Sequence, residues 1–296
     1  THLGTTESLG PSDSLPLQAE VALLSRNIRV TGDPSSNISR YGAHLMLTGQ
    51  ANNGFQATLA YSEFTLCGQP QIPGRNCIYF HMNGEVPDSL VRGNSVHESY
   101  GRVVALHATH FLTVDGNVGY RARGHNYFLE DGVESHNTFS NNLAIASLSA
   151  SNKLQSDIAV ASSFLTNPTN NLIGNRAAGS EFYGFLYELP DFATGSSASP
   201  DICPVGLPLG VVANNTAHSN RLYGLRVYKH YARQFPCNSI RNDAYPNNPW
   251  QDNPSLPSRI EGFLLYKNGI NGAVLEQTGN LVLNNFTVAD SGNTGI

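Results

Sequence analysis

The sequence predicts an all-β fold, a parallel β-helix with three long irregular excursions, and three observations point to it. A step of 23 residues links Asn94 to Asn117, Gly101 to Gly124 and His107 to Glu130. The segments brought into register, residues 77–82, 103–107 and 126–130, are apolar and of strand length. Gly and Asn fill the intervals, with no helical periodicity. Each such repeat is one coil that cannot bury its apolar face alone, so the coils must stack. Stacked parallel strands lie ~4.8 Å apart and alternate their side chains in and out. With Phe80, Leu106 and Leu129 inward, His81, His107 and Glu130 form an outward column.

Composition agrees with many tight bends between short strands. Charged residues are 13% of the 296, about half the ~25% of ordinary soluble domains, and there are 28 glycines. A net charge of −5 offers no basic stripe for phosphates, so nucleic acid is not an expected partner. Apolar runs such as residues 103–106 and 263–266 are strand-sized, far short of the ~20 residues of a membrane span, so no membrane insertion by this segment is expected. The chain starts at Thr1 without a signal peptide and ends within a further coil, so it is expected to be a processed product or a piece of a longer protein.

Four cysteines, Cys67, Cys77, Cys203 and Cys237, lie in turn-rich surroundings and not in close metal-binding pairs. Three connectivities exist, and proximity in sequence favours Cys67 with Cys77 and Cys203 with Cys237. Asn-x-Ser/Thr sequons at Asn37, Asn214 and Asn285 join these disulfides in pointing to an extracellular or cell-surface glycoprotein.

Along the chain, residues 1–18 are rich in Ser, Thr, Gly and Pro and read as a linker or irregular edge, with the β-helix running over 19–296. Residues 20–30 and 43–47 are strand-like and are separated by Gly32-Asp33-Pro34; residues 57–66 follow, closed by a turn at 67–74. Beyond the organising repeats, residues 138–146 start another coil, with Asn141 or Asn142 in the asparagine position. The excursions are 147–168, 190–208 and 232–257, the last holding Trp250, the only tryptophan. Excursions from one side of a solenoid build its binding face or cover its edges. Asn94, Asn117 and Asn142 are expected to form an internal amide ladder.

Several motifs go beyond architecture. Ile78-Tyr79-Phe80-His81-Met82, Gly124-His125-Asn126-Tyr127-Phe128-Leu129-Glu130-Asp131-Gly132, Asn137-Thr138-Phe139 and Asn214-Asn215-Thr216-Ala217-His218-Ser219-Asn220 resemble the family of fibrocystin, fibrocystin-like protein and the cell-migration-inducing hyaluronidases. The resemblance covers about residues 19–230 and implies a right-handed parallel β-helix that follows an eight-glycine domain. Its functional implication is divided, since some members are linked to hyaluronan depolymerisation and others are large cell-surface proteins without assigned chemistry. Where relatives often carry His-Phe-His, this chain has Tyr79-Phe80-His81, one imidazole fewer.

Four readings compete for the outward column. His81, His107 and Glu130 have the donor types of a divalent metal site. His107 with Glu130 or Asp131 could supply the two groups of unlike pKa that cleaving a glycosidic bond requires, as catalytic residues. Tyr79, Tyr127, Tyr187 and Trp250, with His81, could bind a glycan by stacking. The plainest reading is a hydrogen-bonded polar ladder. No phosphate loop or Gly-x-Ser-x-Gly elbow is present, which sets aside nucleotide and serine-hydrolase chemistry. The expected function is a structural or adhesive surface module whose partners are glycans, other extracellular proteins or a second copy of itself. A depolymerase acting on a hyaluronan-like glycan is the alternative.

Overall fold

A computed structural model describes residues 5–8, 14–70, 72–150, 161–232, 237 and 257–296. The chain winds into a parallel β-helix of three long sheets, with eight, eight and nine strands, and each full coil contributes one strand to each sheet. The first sheet contains Ile78–Glu85, Val104–His110, Tyr127–Leu129, Ser162–Leu165 and Tyr183–Glu188 in adjacent positions. The repeating register is visible in the pairs Leu106↔Phe80, His107↔His81 and Leu106↔Leu129.

Strand alternation sorts side chains into two layers. Ile78, Val104, Tyr127, Phe164 and Phe185 point inward with Phe80, Leu106, Leu129 and Tyr187, and all belong to one continuous core. Within it Phe164 stacks on Tyr127 and on Phe185, in each case with ring centroids 4.7 Å apart. Tyr79, Ala105, Phe128, Leu165 and Leu186 occupy the opposite phase and form a second apolar layer outside the first sheet.

The asparagine ladder is longer than the repeat alone suggests. Asn94, Asn117, Asn142, Asn175 and Asn215 stack as buried rungs, the side-chain oxygen of each later rung accepting from both the backbone and the side-chain N–H of the rung before it. The residue before each rung turns the chain with positive φ, Gly93, Gly116, Asn141, Gly174 and Asn214 in succession. Glycine and asparagine recur there because that backbone region disfavours a Cβ.

Three expectations from the sequence are corrected. Residues 147–168 are not one excursion, because Ser162–Leu165 pairs with the strands on both sides of it in the first sheet. The segment from residue 20 to residue 30 is not one strand; only Ile28–Thr31 is. The part before it is a strap lying along the third sheet. Glu20 reaches His218 at 2.7 Å and Arg176 at 3.3 Å, and Arg26 meets Glu63 and the Gly93 carbonyl, so the strap crosses many coils. Its residues alternate, Val21 and Leu23 outward, Glu20, Ala22 and Leu24 less exposed, which is why the pattern imitates a strand. Lastly, residues 1–18 contain an antiparallel pair, Thr5–Ser8 with Ser14–Leu17, and Leu15 packs against Tyr266 and Ala289.

Both expected disulfides are present, Cys67 to Cys77 and Cys203 to Cys237. Asn37, Asn214 and Asn285 are all exposed. No helix among the described residues is long and apolar enough to cross a membrane.

Candidate functional site

The site is built where strands of the first sheet end. After His81 and His107 the register shifts through a bulge, with Met82 and Ala108 at positive φ. A bulge leaves a backbone group out of the ladder and re-aims the neighbouring side chains. Here the Ala108 N–H donates to Glu134 Oε1 at 2.9 Å. Glu134 also accepts from the Asp131 and Gly132 N–H groups and, at 2.7 Å, from Asn167 Nδ2. Its carboxyl is fully enclosed, and burial pushes its pKa up to about 7 despite those backbone donors.

Glu134 thereby fixes the backbone on either side of the central pair. His107 Nε2 lies 2.6 Å from Asp131 Oδ2, with both side chains almost wholly buried. Burial alone would lower the His107 pKa; the hydrogen bond and charge of Asp131 outweigh it, and the net direction is upward. Burial likewise acts to raise Asp131, and the His107 and Ser197 contacts reverse it, so Asp131 sits below the usual carboxylate range. These opposed shifts describe an imidazolium–carboxylate pair.

The 190–208 excursion closes over this pair. The Ser197 N–H donates to Asp131 Oδ2 at 3.0 Å and the Thr194 N–H to the Asp131 carbonyl at 2.9 Å. A Cβ on Gly195, which has φ +59°, would collide with Asp131 Oδ1, so this close approach requires glycine. Below the excursion is a cleft of about 440 Å³. Phe128, Leu165 and Pro190 give it apolar walls, while Glu130, Glu188 and Ser196 give it polar ones.

The predicted column exists, but its three members converge on a fourth residue. The Tyr79 hydroxyl donates to Glu130 Oε2 at 2.9 Å and lies 3.1 Å from His107 Nδ1 and 3.2 Å from His81 Nδ1. Burial, reinforced by Glu130, raises its pKa well above the ordinary phenol value. Burial, then the neighbouring His107, lowers that of His81. The metal reading of His81, His107 and Glu130 is corrected accordingly. The phenol occupies the point where the donors meet, His107 Nε2 is turned to Asp131, and among the described residues no group of three His, Cys, Asp or Glu is placed to hold an ion.

The stacking platforms are corrected as well. Tyr127 and Tyr187 are 1% and 0% exposed, inside the coil, because they fall in the inward phase of their strands. Tyr79 is in the outward phase but is 2% exposed within the second apolar layer, so only its hydroxyl takes part in the site. Trp250 lies outside the described residues. Of the proposed acid/base residues, His107, Glu130 and Asp131 are brought together on one wall of the cleft. Sequence reasoning missed the structural part of Glu134 and the contributions of Ser196 and Ser197. Glu134 carries a signal, a carboxylate in a dense run of turn residues, whereas the serines sit in an excursion without periodicity.

A family model described as CEMIP beta-helix matches residues 40–225. The chain belongs to the CEMIP β-helix family. It is 32% identical, over an alignment of 336 positions, to the human cell migration-inducing and hyaluronan-binding protein, covering 95% of the chain and 24% of that protein. It is 29% identical to human cell surface hyaluronidase CEMIP2, again over 95% of the chain and 24% of the relative. Mouse Fibrocystin-L is 31% identical over 78% of the chain, which spans 6% of it. The chain therefore corresponds to about a quarter or less of each of these relatives. The two disulfides fit an extracellular location, as does the cell-surface naming of CEMIP2.

Proposed function

We propose that this chain is an extracellular, cell-surface β-helix module that holds a segment of polysaccharide in the cleft beneath the 190–208 excursion, in a structural or adhesive role. The lining of the cleft carries this reading. A sugar ring presents C–H faces and hydroxyl edges, and the cleft offers both counterparts, Phe128 and Leu165 beside Glu130, Glu188 and Ser196. Its volume of about 440 Å³ falls in the ~300–1,000 Å³ range of ligand pockets. One relative is named as hyaluronan-binding, which makes that polymer the first candidate ligand.

Titration with hyaluronan and chitin oligosaccharides, followed by calorimetry, tests it. Binding that weakens about tenfold in Glu130→Gln supports the cleft, since a charge-assisted hydrogen bond is worth ~1.5–3 kcal/mol. Absence of binding to either sugar contradicts it.

A second reading, cleavage of the bound glycan, draws on the His107–Asp131 pair. A protonated His107 near Glu130 has the two unlike groups that glycosidic hydrolysis requires. Against it, Asp131 is spent on His107 and Ser197, and Tyr79 stands where the resemblance has a further imidazole.

A further inference from the structure

A second recess lies on the turns that lead into the same coils. It is a notch of about 130 Å³ lined by Arg40, Glu98, Tyr100, Arg121, Arg123 and Leu148, with Asn37 on its rim. From this convergence of cations we infer that the notch is an anion subsite for a carboxylate or sulfate group carried on a saccharide. The inference rests on the saccharide reading of the cleft, because it takes the anion to be part of the same polymer.

Three guanidiniums reach the notch from separate backbone positions, each anchored. Arg40 closes the short helix Ser36–Ser39 at φ 58°, its N–H on the Ser36 carbonyl. Arg121, also at positive φ, donates its N–H to the Ile145 carbonyl, and the Arg123 N–H goes to the Ser99 carbonyl. Among the described residues neither Arg40 nor Arg123 has an ion-pair partner within 4.0 Å, although both are partly buried. The Glu181 carboxylate offsets part of the Arg123 charge from a distance, and a partly buried guanidinium without a salt bridge of its own still favours an anion that can enter. Arg121 does have a partner, Glu98 at 3.7 Å, but both side chains are 50% exposed, and such a pair is weak enough to yield to a better acceptor. Guanidiniums grip planar or tetrahedral oxyanions with paired N–H donors.

The size and place of the notch argue for a group on a chain. It admits one acidic head group, and Leu148 with Tyr100 supplies apolar edges for the ring that bears it. Arg123 precedes Glu130 by seven residues on one coil, so the Cα atoms of these two lining residues are at most ~25 Å apart. One polymer that reaches both sites gains by effective concentration.

The test is calorimetric titration of the disulfide-intact chain in an Asn37→Gln background, which keeps any N-glycan off the rim. Probes are a heparin oligosaccharide, a hyaluronan oligosaccharide, a neutral chitin oligosaccharide, an oligoglutamate peptide and sodium sulfate. At least one acidic oligosaccharide is expected to bind tenfold or more tighter than sodium sulfate, the peptide or the neutral sugar. Arg40→Ala with Arg123→Ala should weaken that binding about tenfold, Arg123→Lys should do so by less, and exposed Arg259→Ala should leave it unchanged. Unaltered melting temperatures certify that the variants fold. Equal binding of sodium sulfate makes the notch a simple ion site and overturns the inference; tighter binding of the peptide overturns the saccharide assignment. If acidic and neutral sugars bind alike and only Glu130→Gln weakens them, the notch fails and the cleft stands. Loss on the arginine variants but not on Glu130→Gln supports the notch and removes the cleft.

Discussion

His107 Nε2 lies 2.6 Å from Asp131 Oδ2, and through that contact one coil of the β-helix is tied to the next and to the excursion roofing both. The His107 pKa is raised, so the interaction is fully present below its unfolded value of 6.5 and is lost as pH rises through the folded value. The Asp131 pKa is lowered, so its share is present above 3.8 in the unfolded reference and is lost as pH falls through the folded value. The pair therefore stabilises the chain most between those limits. In an NMR titration His107 should have a midpoint above 6.5, and Asp131→Asn should lower it, because burial then meets less opposition. An unchanged midpoint in that variant would show the pair to be incidental.

Tyr79 fills the point where His81, His107 and Glu130 converge. Replacing the phenol with an imidazole, Tyr79→His, should open the centre and add a nitrogen donor beside His81 and His107. Cobalt(II) absorption should then report binding at least about tenfold tighter than in the parent chain, the scale of one added ligand or outer-shell partner. Equal affinity in the two proteins would mean that Tyr79 does not determine metal occupancy.

Glu134 accepts three backbone N–H groups and the Asn167 amide. In Glu134→Gln one oxygen becomes an NH₂ group that must face a donor, so a cost of ~1–3 kcal/mol at pH 7.5 is expected in urea denaturation. Because the folded pKa is raised to about 7, the Glu134 contribution is greatest at low pH and falls as pH climbs from 4.5 toward 7. That slope should vanish in the glutamine variant; its persistence would assign it to another group.

The asparagine ladder makes a prediction far from the site. Asn142 accepts from the Asn117 backbone and side chain and donates to the Val114 carbonyl and to Asn175. Asn142→Ala strands buried partners on both sides and should cost ~2–4 kcal/mol, since each unsatisfied buried group costs ~1–3 kcal/mol. A loss below about 1 kcal/mol would mean that water enters and replaces the amide.

The repeat made the coils legible because stacking forces equivalent residues into columns, and Asn94, Asn117 and His107 kept their spacing. It failed at Ser162–Leu165, where the insertion before the strand broke the step although the strand still pairs. Tyr127 and Tyr187 were misplaced for another reason. Residue type suggested a sugar platform, while period-two alternation from Leu129 already put Tyr127 inside. Gly195 against Asp131 had no sequence signal, because contacts made by an aperiodic excursion depend on tertiary closure.

The most direct measurement is size-exclusion chromatography with light scattering on hyaluronan incubated with the disulfide-intact chain. The proposed module should co-elute with the polymer and leave its mass unchanged, with co-elution reduced in Glu130→Gln. A polymer that shortens with the parent chain but not with His107→Ala or Glu130→Gln would establish cleavage and contradict a purely structural role, and absence of co-elution would contradict binding of this polymer.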